Sequence, residues 1–294
     1  MPESVSEVYI RQYAADVLLA ANQTESKARR WCEVKSQSGG PGFGFAVSFP
    51  GMGYVTMAPK IGRGVATPRA DPGHISRWAF PAPYSQGIPI EDIDIAQMIL
   101  DPKSKYQTVM SQAIGIKYDE IIFAAALGTA KTGVDGAGSE TWPVTDRNSV
   151  SHYVAHGGVG LTLEKFLAGC RVLAECDVTT ELVFFYSPQA LEDALLLEKF
   201  TSAMYNTYKA LYEGTINTYG GVTWVASTHL PKSTTTRSCI LMQRGSVGFV
   251  SALDKVRVGE NPERSYENQV YAEILAGAVR RDGERIYEIQ ITES

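Results

Sequence analysis

The segment that most constrains the fold is a long helical sequence between Asp101 and Gly128. Asp101 is a favourable N-cap, Pro102 occupies the first helical position, and Gly128 provides a stop. The pattern predicts one helix over residues 102–128, roughly 40 Å long at about 1.5 Å per residue. Its predicted inner face comprises Tyr106, Val109, Met110, Ala113, the stem of Lys117, Ile121, Ala124 and Ala125. A helix this long needs an extended body to lie against, so we interpret it as the spine of an extended molecule.

The N-terminal region is predicted to form an amphipathic helix over residues 4–30. Ser4 and Glu7 have capping-box spacing. The apolar face comprises Val5, Val8, Tyr9, Tyr13, Val17 and Ala20. Because this helix is far in sequence from the next apolar block, docking on its own molecule and docking on a neighbouring molecule both stay open. In the second case Tyr9 and Tyr13 are candidate inter-subunit contacts.

Residues 33–90 are rich in glycine and proline and sustain no 3.6-residue period. Short β-type pieces, Phe43–Phe49 and Gly53–Met57, lie between the turns. A segment of this kind is unusual in a compact domain, and it predicts a long β-hairpin or extended loop that protrudes from the body. Its apolar side chains are predicted to bury against another subunit, and they are Phe43, Phe45, Phe49, Tyr54, Met57, Trp78 and Phe80. A β-subdomain packed on its own chain is the alternative.

The same segment carries basic residues, although the chain has a net charge of −5. They are Lys60, Arg63, Arg69 and Arg77. Cations on an extended element of an acidic protein are suited to form ion pairs with acidic patches on identical neighbouring subunits. The alternative is that these side chains are simply exposed to water.

The remainder of the chain predicts an α/β lobe, because a helix, a buried strand and a second helix follow one another. The helices are predicted at Leu161–Glu175 and Gln189–Lys199, with the strand Leu182–Tyr186 between them. The inward face of the first helix is predicted to carry Leu163, Phe166, Leu167, Cys170, Leu173 and Ala174. Further strands are predicted at Val222–Ser227, Cys239–Gln243, Lys255–Val258 and Ile286–Thr292. Two segments stay undecided between strand and helix, namely Val247–Ala252 and Tyr266–Arg280.

Composition excludes several classes of protein. The chain has 294 residues, 44% of them hydrophobic, which allows one large domain or two lobes. A pI of about 5.5 disfavours tight nucleic-acid binding by counterion release. Four cysteines without a CxxC pair favour reduced thiols in a cytosol-like setting. We find neither a signal peptide nor an apolar run of about 18 residues, so no membrane contact is predicted.

The motifs that resemble catalytic signatures lack their partners. His156–Gly160 resembles an oxyanion loop, but no G-x-S-x-G elbow follows it. Gly39–Gly44 lacks the strand, helix and Walker lysine of a phosphate-binding loop. His152 and His156 have i,i+4 spacing without a helix or a catalytic Glu, so surface or turn histidines are the default. The sequence therefore predicts no enzyme, no cofactor and no metal site.

Two runs of sequence, together with this order of elements, indicate a family. The first is residues 88–128, IPIEDIDIAQMILDPKSKYQTVMSQAIGIKYDEIIFAAALG, in which a Lys117-Tyr118 pair replaces the basic residue expected just before Asp119. The second comprises Ser227–Pro231, Cys239–Gln243, Gly245–Phe249 and Ala276–Arg280. Over nearly its whole length the chain resembles the major capsid proteins of tailed bacteriophages, which have the Hong Kong 97-like fold.

The resemblance implies an α+β fold with a defined division of parts. Residues 1–35 would form an N-terminal arm, and residues 36–90 an extended β-hairpin loop that lies over a neighbour. Residues 91–160 and 251–294 would form the peripheral domain with its spine helix 102–128, and residues 161–250 the axial domain. The glycines at 39–44 and 128–138 are predicted hinges.

The resemblance also implies self-assembly into pentamers and hexamers, which close into an icosahedral head around double-stranded DNA. The implied partners are a separate scaffolding protein, a portal and, in some relatives, a decoration protein, with DNA contacted non-specifically. The protein would be located in the virion after assembly in the bacterial host cytoplasm. An encapsulin-like nanocompartment shell has the same fold and is the alternative, and a soluble enzyme is the rival from a different class.

Overall fold

A computed structural model describes residues 23–36, 46–60, 62–64, 67, 69–90, 103–196, 218–261 and 267–293. The α-helices are α1 (Lys103–Leu127), α2 (Leu163–Glu175) and α3 (Pro188–Leu196), and 3₁₀ turns lie at Arg29–Trp31 and Gly283–Arg285. The strands are β1 (Glu33–Ser36), β2 (Val47–Met52), β3 (His74–Ala79), β4 (Ala82–Ile90), β5 (Ala130–Thr132), β6 (Gly138–Glu140), β7 (Tyr153–Val154), β8 (Leu182–Tyr186), β9 (Thr218–Tyr219), β10 (Val222–Ala226), β11 (Lys232–Ser233), β12 (Thr236–Gln243), β13 (Val247–Asn261), β14 (Glu267–Arg280) and β15 (Ile286–Thr292).

These strands form three sheets within the described ranges. A seven-stranded sheet has the order β7-β15-β12-β8-β10-β9, with β11 paired to β12. A four-stranded sheet has the order β1-β13-β14-β4, and a second one the order β2-β3-β5-β6. The long hairpin β13–β14 runs from the pair Val247–Arg280 to the pair Asn261–Glu267. Both undecided segments are therefore strands.

Helix α1 confirms the predicted spine, since it spans Lys103–Leu127 and stops before Gly128. A Cβ atom at Gly128 would lie 2.6 Å from the carbonyl oxygen of Ala124, so glycine suits this stop. Asp101 and Pro102 lie outside the described residues. The predicted inner face is wrong in part, because Ala113 and Ala124 are exposed, whereas Met110 is buried as expected. The face packed on the sheet carries Met110, Tyr118, Asp119, Ile122, Phe123 and Ala126.

The main core lies between the seven-stranded sheet, α2 and the C-terminal half of α1. All five residues of β8 are buried, as a central strand covered on both faces requires. The rings of Phe184 and Trp224 meet edge to face, with centroids 4.9 Å apart. Phe123 of α1 meets Phe185 in the same way at 5.1 Å, which joins the spine to this sheet.

Strand pairing crosses the predicted boundary between the axial domain, residues 161–250, and the peripheral segment, residues 251–294. β13 begins at Val247, ahead of that boundary, and continues into the sheet with β14 and β4. β15, which was placed in the peripheral segment, pairs with β12 from Thr236–Thr292 to Met242–Ile286. Its bounds, Ile286–Thr292, agree with the predicted strand.

Three local predictions are wrong. Residues 23–31 are not α-helical, because their backbone turns away to pack on α1, and only Arg29–Trp31 forms a 3₁₀ turn. Gly53–Met57 is not a strand, since β2 ends at Met52. On α2 the expected inward residue Leu167 is exposed, whereas Lys165 is buried.

Lys165 is buried, and its ammonium group is satisfied by four backbone carbonyl groups. Its Nζ lies 2.7–3.2 Å from the carbonyl oxygens of His156, Val159, Gly160 and Gln290. The side chain therefore ties the loop before α2 to β15. Desolvation lowers the pKa of this lysine, and the Asp193 carboxylate opposes that shift.

Close packing between β2 and β13 predicts the effect of one substitution. A Cβ atom at Gly248 would lie 2.7 Å from the ring of Phe49, which is fully buried and cannot withdraw. We expect Gly248→Ala to lower the free energy of unfolding by about 1–3 kcal/mol, measured by urea denaturation of the unassembled subunit. Gly259→Ala on the same strand is the matched control, because nothing lies within 4 Å of its Cβ position. Equal losses in both variants would contradict the close contact.

Candidate assembly interface

The extended loop has a base that is packed firmly into its own chain. β2 and β3 pair antiparallel from Val47–Ala79 to Met52–His74. The base is covered by a small core cluster of Phe49, Ala79, Ala130, Val250 and Val279, with Val47 packed against it. β3 also pairs with β5, which connects the loop to the end of the spine.

Two polar side chains hold this base. Arg77 donates from Nε to the carbonyl oxygen of Arg281 at 3.2 Å and pairs with the Glu140 carboxylate at 2.7 Å. Trp78 donates from Nε1 to the carbonyl oxygen of Gly133 at 2.7 Å. These contacts fix the direction in which the loop leaves the body.

The loop tip, defined as the described residues from 52 to 73, is mostly exposed. Met57 is 99% exposed, and Met52 and Tyr54 are 70% and 71% exposed. Its cations Arg63 and Arg69 are exposed as well. Apolar side chains presented together on a projecting element are costly in water and are typical of an interaction site.

The N-terminal arm has its base on the spine. Asp119 of α1 is fully buried, and its carboxylate accepts hydrogen bonds from the side chains of Gln23 and Ser26 at 2.6 and 2.5 Å. It also accepts from the backbone N–H groups of Lys27 and Ala28 at 3.1 and 3.0 Å. Gly115 allows this approach, because a Cβ there would lie 3.1 Å from the backbone nitrogen of Ser26. One carboxylate therefore directs where the preceding residues leave the subunit.

The C-terminal end of the spine is held by Arg280 of β14, which is fully buried. Its Nη1 donates to the carbonyl oxygens of Ala126 and Gly128 at 3.2 and 2.6 Å, and its Nη2 donates to that of Glu140 at 3.0 Å. The guanidinium also lies 5.1 Å from the ring centroid of Trp142. Arg280 thus supplies donors to carbonyl groups that the helix end leaves unpaired.

The described residues thus combine an arm base, a projecting loop with an exposed tip and a spine packed on a long hairpin. A sequence model of the family described as "Phage capsid protein" matches residues 5–293. The chain belongs to the phage capsid protein family. No curated protein sequence matches it significantly.

Solved capsid structures resemble the whole chain. The capsid structure of cyanophage P-SCSP1u matches with a TM-score of 0.70 and 14% identity, over 100% of this chain and 96% of that one. The capsid asymmetric unit of cyanophage Pam1 matches with a TM-score of 0.69 and 12% identity, over 96% of both chains. A chain of Mycobacterium phage Che8 matches with a TM-score of 0.67 and 16% identity, over 95% of this chain and 96% of that one. The fold is the α+β, Hong Kong 97-like fold of phage capsid proteins.

Family membership confirms the principal predictions of function. The chain is a major capsid protein of a phage head, it assembles into a multisubunit shell, and it is located in the virion. It is a structural protein and not an enzyme. The encapsulin alternative is not favoured. None of the described helices is long and apolar enough to cross a membrane.

The predicted inter-subunit contacts occupy different environments. Tyr9, Tyr13, Phe43 and Phe45 lie outside the described residues. Phe49 and Arg77 are buried by their own chain, contrary to the expectation that a neighbour covers them, because β13 and Glu140 already do so. Trp78 is partly buried. Tyr54, Arg63 and Arg69 are exposed on the loop tip and stay candidates.

Sequence reasoning missed the buried polar residues that position these parts. Asp119 and Arg280 lay inside motifs of the resemblance, but no partner was predicted for either. His152, for which a surface or turn position was the default, lies in a bend and is fully buried beside Asp146 and Cys176. A charged residue inside an otherwise apolar run is the one signal that marks such positions in advance.

Proposed function

We propose that this capsid protein forms pentamers and hexamers which close into an icosahedral head around double-stranded DNA, and that each loop tip lies on an adjacent subunit. The observation that carries the proposal is the contrast within the extended loop. Its base is fixed to the β-sheets of its own chain, whereas Tyr54 and Met57 at its tip have no apolar cover. A neighbouring subunit supplies that cover.

The energy of such a contact is modest for each copy and large for a shell. Removing apolar surface from water contributes about 25 cal/mol per Å², and identical contacts repeated around a closed shell reinforce one another by multivalency. The exposed cations Arg63 and Arg69 give each contact its orientation if they meet carboxylates of the neighbour. An overall charge of −5 leaves carboxylates to serve that role.

The domain division is part of the proposal. Residues 1–35 form the arm and residues 36–90 the extended loop. α1 and the β13–β14 hairpin belong to the peripheral domain, and the seven-stranded sheet with α2 and α3 forms the axial domain. We include β15 in the axial domain, because its partners are β12 and β7.

The proposed partners follow from the same function. A separate scaffolding protein, a portal and a decoration protein would bind the assembled subunits, and assembly would occur in the host cytoplasm. DNA would be contacted non-specifically, since an acidic chain gains little from counterion release.

The test is assembly of a loop-tip variant. In the double variant Tyr54→Ser, Met57→Ser we expect at least a tenfold loss of assembled particles, seen by size-exclusion chromatography and negative-stain electron microscopy. The urea midpoint of the subunit should not change, because both side chains are solvated in the free subunit. Leu167→Ser, an exposed apolar position on α2, is the control and should still assemble. Normal assembly of the double variant, or a wild-type chain that stays monomeric at high concentration, would refute the proposal.

A further inference from the structure

Three side chains with metal-binding atoms converge in the interior of the subunit. Asp146 belongs to a turn closed by the Thr145–Ser151 bridge, His152 directly precedes β7, and Cys176 follows the last residue of α2. All three are buried. They come from two separate parts of the sequence, and the fold brings them together.

The spacing of the three atoms fits an ion. Cys176 Sγ lies 3.5 Å from Asp146 Oδ2 and 3.9 Å from His152 Nε2, and these last two atoms are 3.8 Å apart. A triangle with these sides has a circumradius of about 2.2 Å. Zinc–ligand distances are about 2.3 Å to sulfur, 2.0–2.1 Å to imidazole nitrogen and 2.0–2.2 Å to carboxylate oxygen. A single ion near the centre of this triangle would lie about 2.2 Å from all three atoms, and a contraction of a few tenths of an ångström would bring them to the distances of a tetrahedral zinc site.

The surrounding hydrogen bonds orient the ligand atoms toward that centre. His152 Nδ1 lies 2.9 Å from the carbonyl oxygen of Ile286 and donates to it, which leaves the lone pair of Nε2 facing the cluster. Asp146 Oδ1 accepts from the backbone N–H groups of Asn148 and Val150, both at 2.8 Å, which turns Oδ2 toward the same point. Hydrogen bonds from ligand side chains to backbone groups that do not touch the ion fix the tautomer and rotamer of the ligands.

The cluster is incompletely satisfied without an ion. The Cys176 thiol has one proton, and it faces two buried acceptors, Asp146 Oδ2 and His152 Nε2. Both distances are at the long end for sulfur, and one proton cannot serve both acceptors. His152 Nε2 is also too far from Asp146 Oδ2, at 3.8 Å, for a direct hydrogen bond. With Nδ1 donating to Ile286, the thiol at 3.9 Å is the one donor within reach of His152 Nε2 among the described residues, and it cannot serve Asp146 Oδ2 at the same time.

We propose that Asp146, His152 and Cys176 bind one divalent transition-metal ion of the zinc type. Borderline and soft donors of this composition favour Zn²⁺ over Mg²⁺ or Ca²⁺. A water molecule completes a tetrahedral shell. Burial is the largest cause that raises the pKa of Cys176, to about 11, and the hydrogen bond to Asp146 is the second. The thiol is therefore protonated at neutral pH before the ion binds. Binding forms the metal–sulfur bond and releases that proton to solvent.

The ion would link three elements of the axial domain. It joins the turn that contains Asp146 to the end of α2, and through His152 to the first residue of β15. The same turn carries Arg147, whose guanidinium pairs with Asp177 at 3.5 Å and lies 5.5 Å from the ring centroid of Tyr54. The site thus fixes the turn that the loop tip approaches in the same chain.

The test uses the full-length purified protein freed of metal and titrated with Co²⁺. We expect saturation at one ion per chain, with a thiolate-to-cobalt charge-transfer band that Zn²⁺ abolishes. Cys176→Ser should abolish the band, and His152→Gln should weaken Co²⁺ binding at least tenfold. Cys170→Ser, the same change within α2, is the matched control and should leave the titration unchanged. Absence of a saturable band, or an unaltered band in Cys176→Ser, would overturn the proposal.

A second measurement needs no variant and so does not depend on how the substitutions fold. X-ray absorption of the wild-type protein loaded with Zn²⁺ should show one sulfur at about 2.3 Å and nitrogen or oxygen ligands at about 2.0–2.1 Å. A first shell without sulfur would exclude Cys176 as a ligand and refute the site. Failure of this site would leave the proposed assembly function untouched, because the loop-tip variant tests that separately.

Discussion

Asp119→Ala is expected to destabilise the folded subunit by roughly 3–5 kcal/mol and to release the base of the N-terminal arm from the spine. The substitution removes one buried carboxylate that accepts four hydrogen bonds from residues 23–28. The N–H group of Ala28 is itself buried and would be left without an acceptor. Hydrogen bonds to a charged group contribute about 1.5–3 kcal/mol each, but the four share one acceptor and do not add fully.

Two measurements check this expectation. Urea denaturation of the unassembled subunit reports the lost stability, and limited proteolysis reports cleavage near residues 23–30. Glu120→Ala is the matched control, since that neighbouring carboxylate is exposed and makes only a surface pair with Lys117. If proteolysis near residue 25 were no faster in Asp119→Ala than in the control, the carboxylate would not be what holds the arm base.

Arg280→Met is expected to lower the free energy of unfolding by a similar amount, about 3–5 kcal/mol. The guanidinium is fully buried, donates to three carbonyl oxygens at the end of α1 and on β6, and lies 3.6 Å from the Glu140 carboxylate. Methionine fills part of the space but leaves these acceptors unpaired. Desolvation lowers the pKa of Arg280, and the Glu140 carboxylate opposes that shift.

The effect of Arg280→Met should be largest near the end of the spine. Hydrogen exchange should accelerate at the last turn of α1 and at β5 and β6 before it does in the seven-stranded sheet. Arg285→Met is the control, because that guanidinium is half exposed and pairs only with Asp282. Uniform acceleration across the whole subunit, or a loss no greater than in the control, would argue against a local role.

The elements that could be predicted were those specified by local sequence. Gly128 ended α1 where expected, and the strands Leu182–Tyr186 and Ile286–Thr292 agreed with their predicted bounds. The hairpin β13–β14 could not be separated from helix, because the partly exposed face of β14 also carries apolar residues such as Tyr271, Leu275 and Ala278, so residue type does not alternate although burial does. The pairing of β13 with β1 and of β14 with β4 shows that both segments are strands. Local sequence patterns do not indicate such long-range pairing.

Positions fixed by distant partners could not be predicted. The inner face of α1 was predicted incorrectly in part, because a charged residue such as Asp119 is not expected on a buried face. The groups that satisfy its carboxylate lie more than 90 residues earlier in the chain. Phe49 and Tyr54 occur in one glycine-rich segment, yet only Phe49 is buried, because Gly248 of β13 leaves room for its ring. The approach of Asp146 and His152 to Cys176 likewise depends on how α2 ends against β15.

The way the extended loop is fastened has a mechanical consequence for a container under internal pressure. A pull on the tip acts along β2 and β3 in the same direction, so both backbones carry the tension and the hydrogen bonds between the two strands are not pulled open one after another. The Arg77 contacts pass that tension to Arg281 at the end of β14 and to Glu140 of β6. Because packed interiors are nearly incompressible, the force spreads into two sheets instead of concentrating at a pivot. Swelling of the container would therefore stretch the contacts between copies before it deforms any single copy.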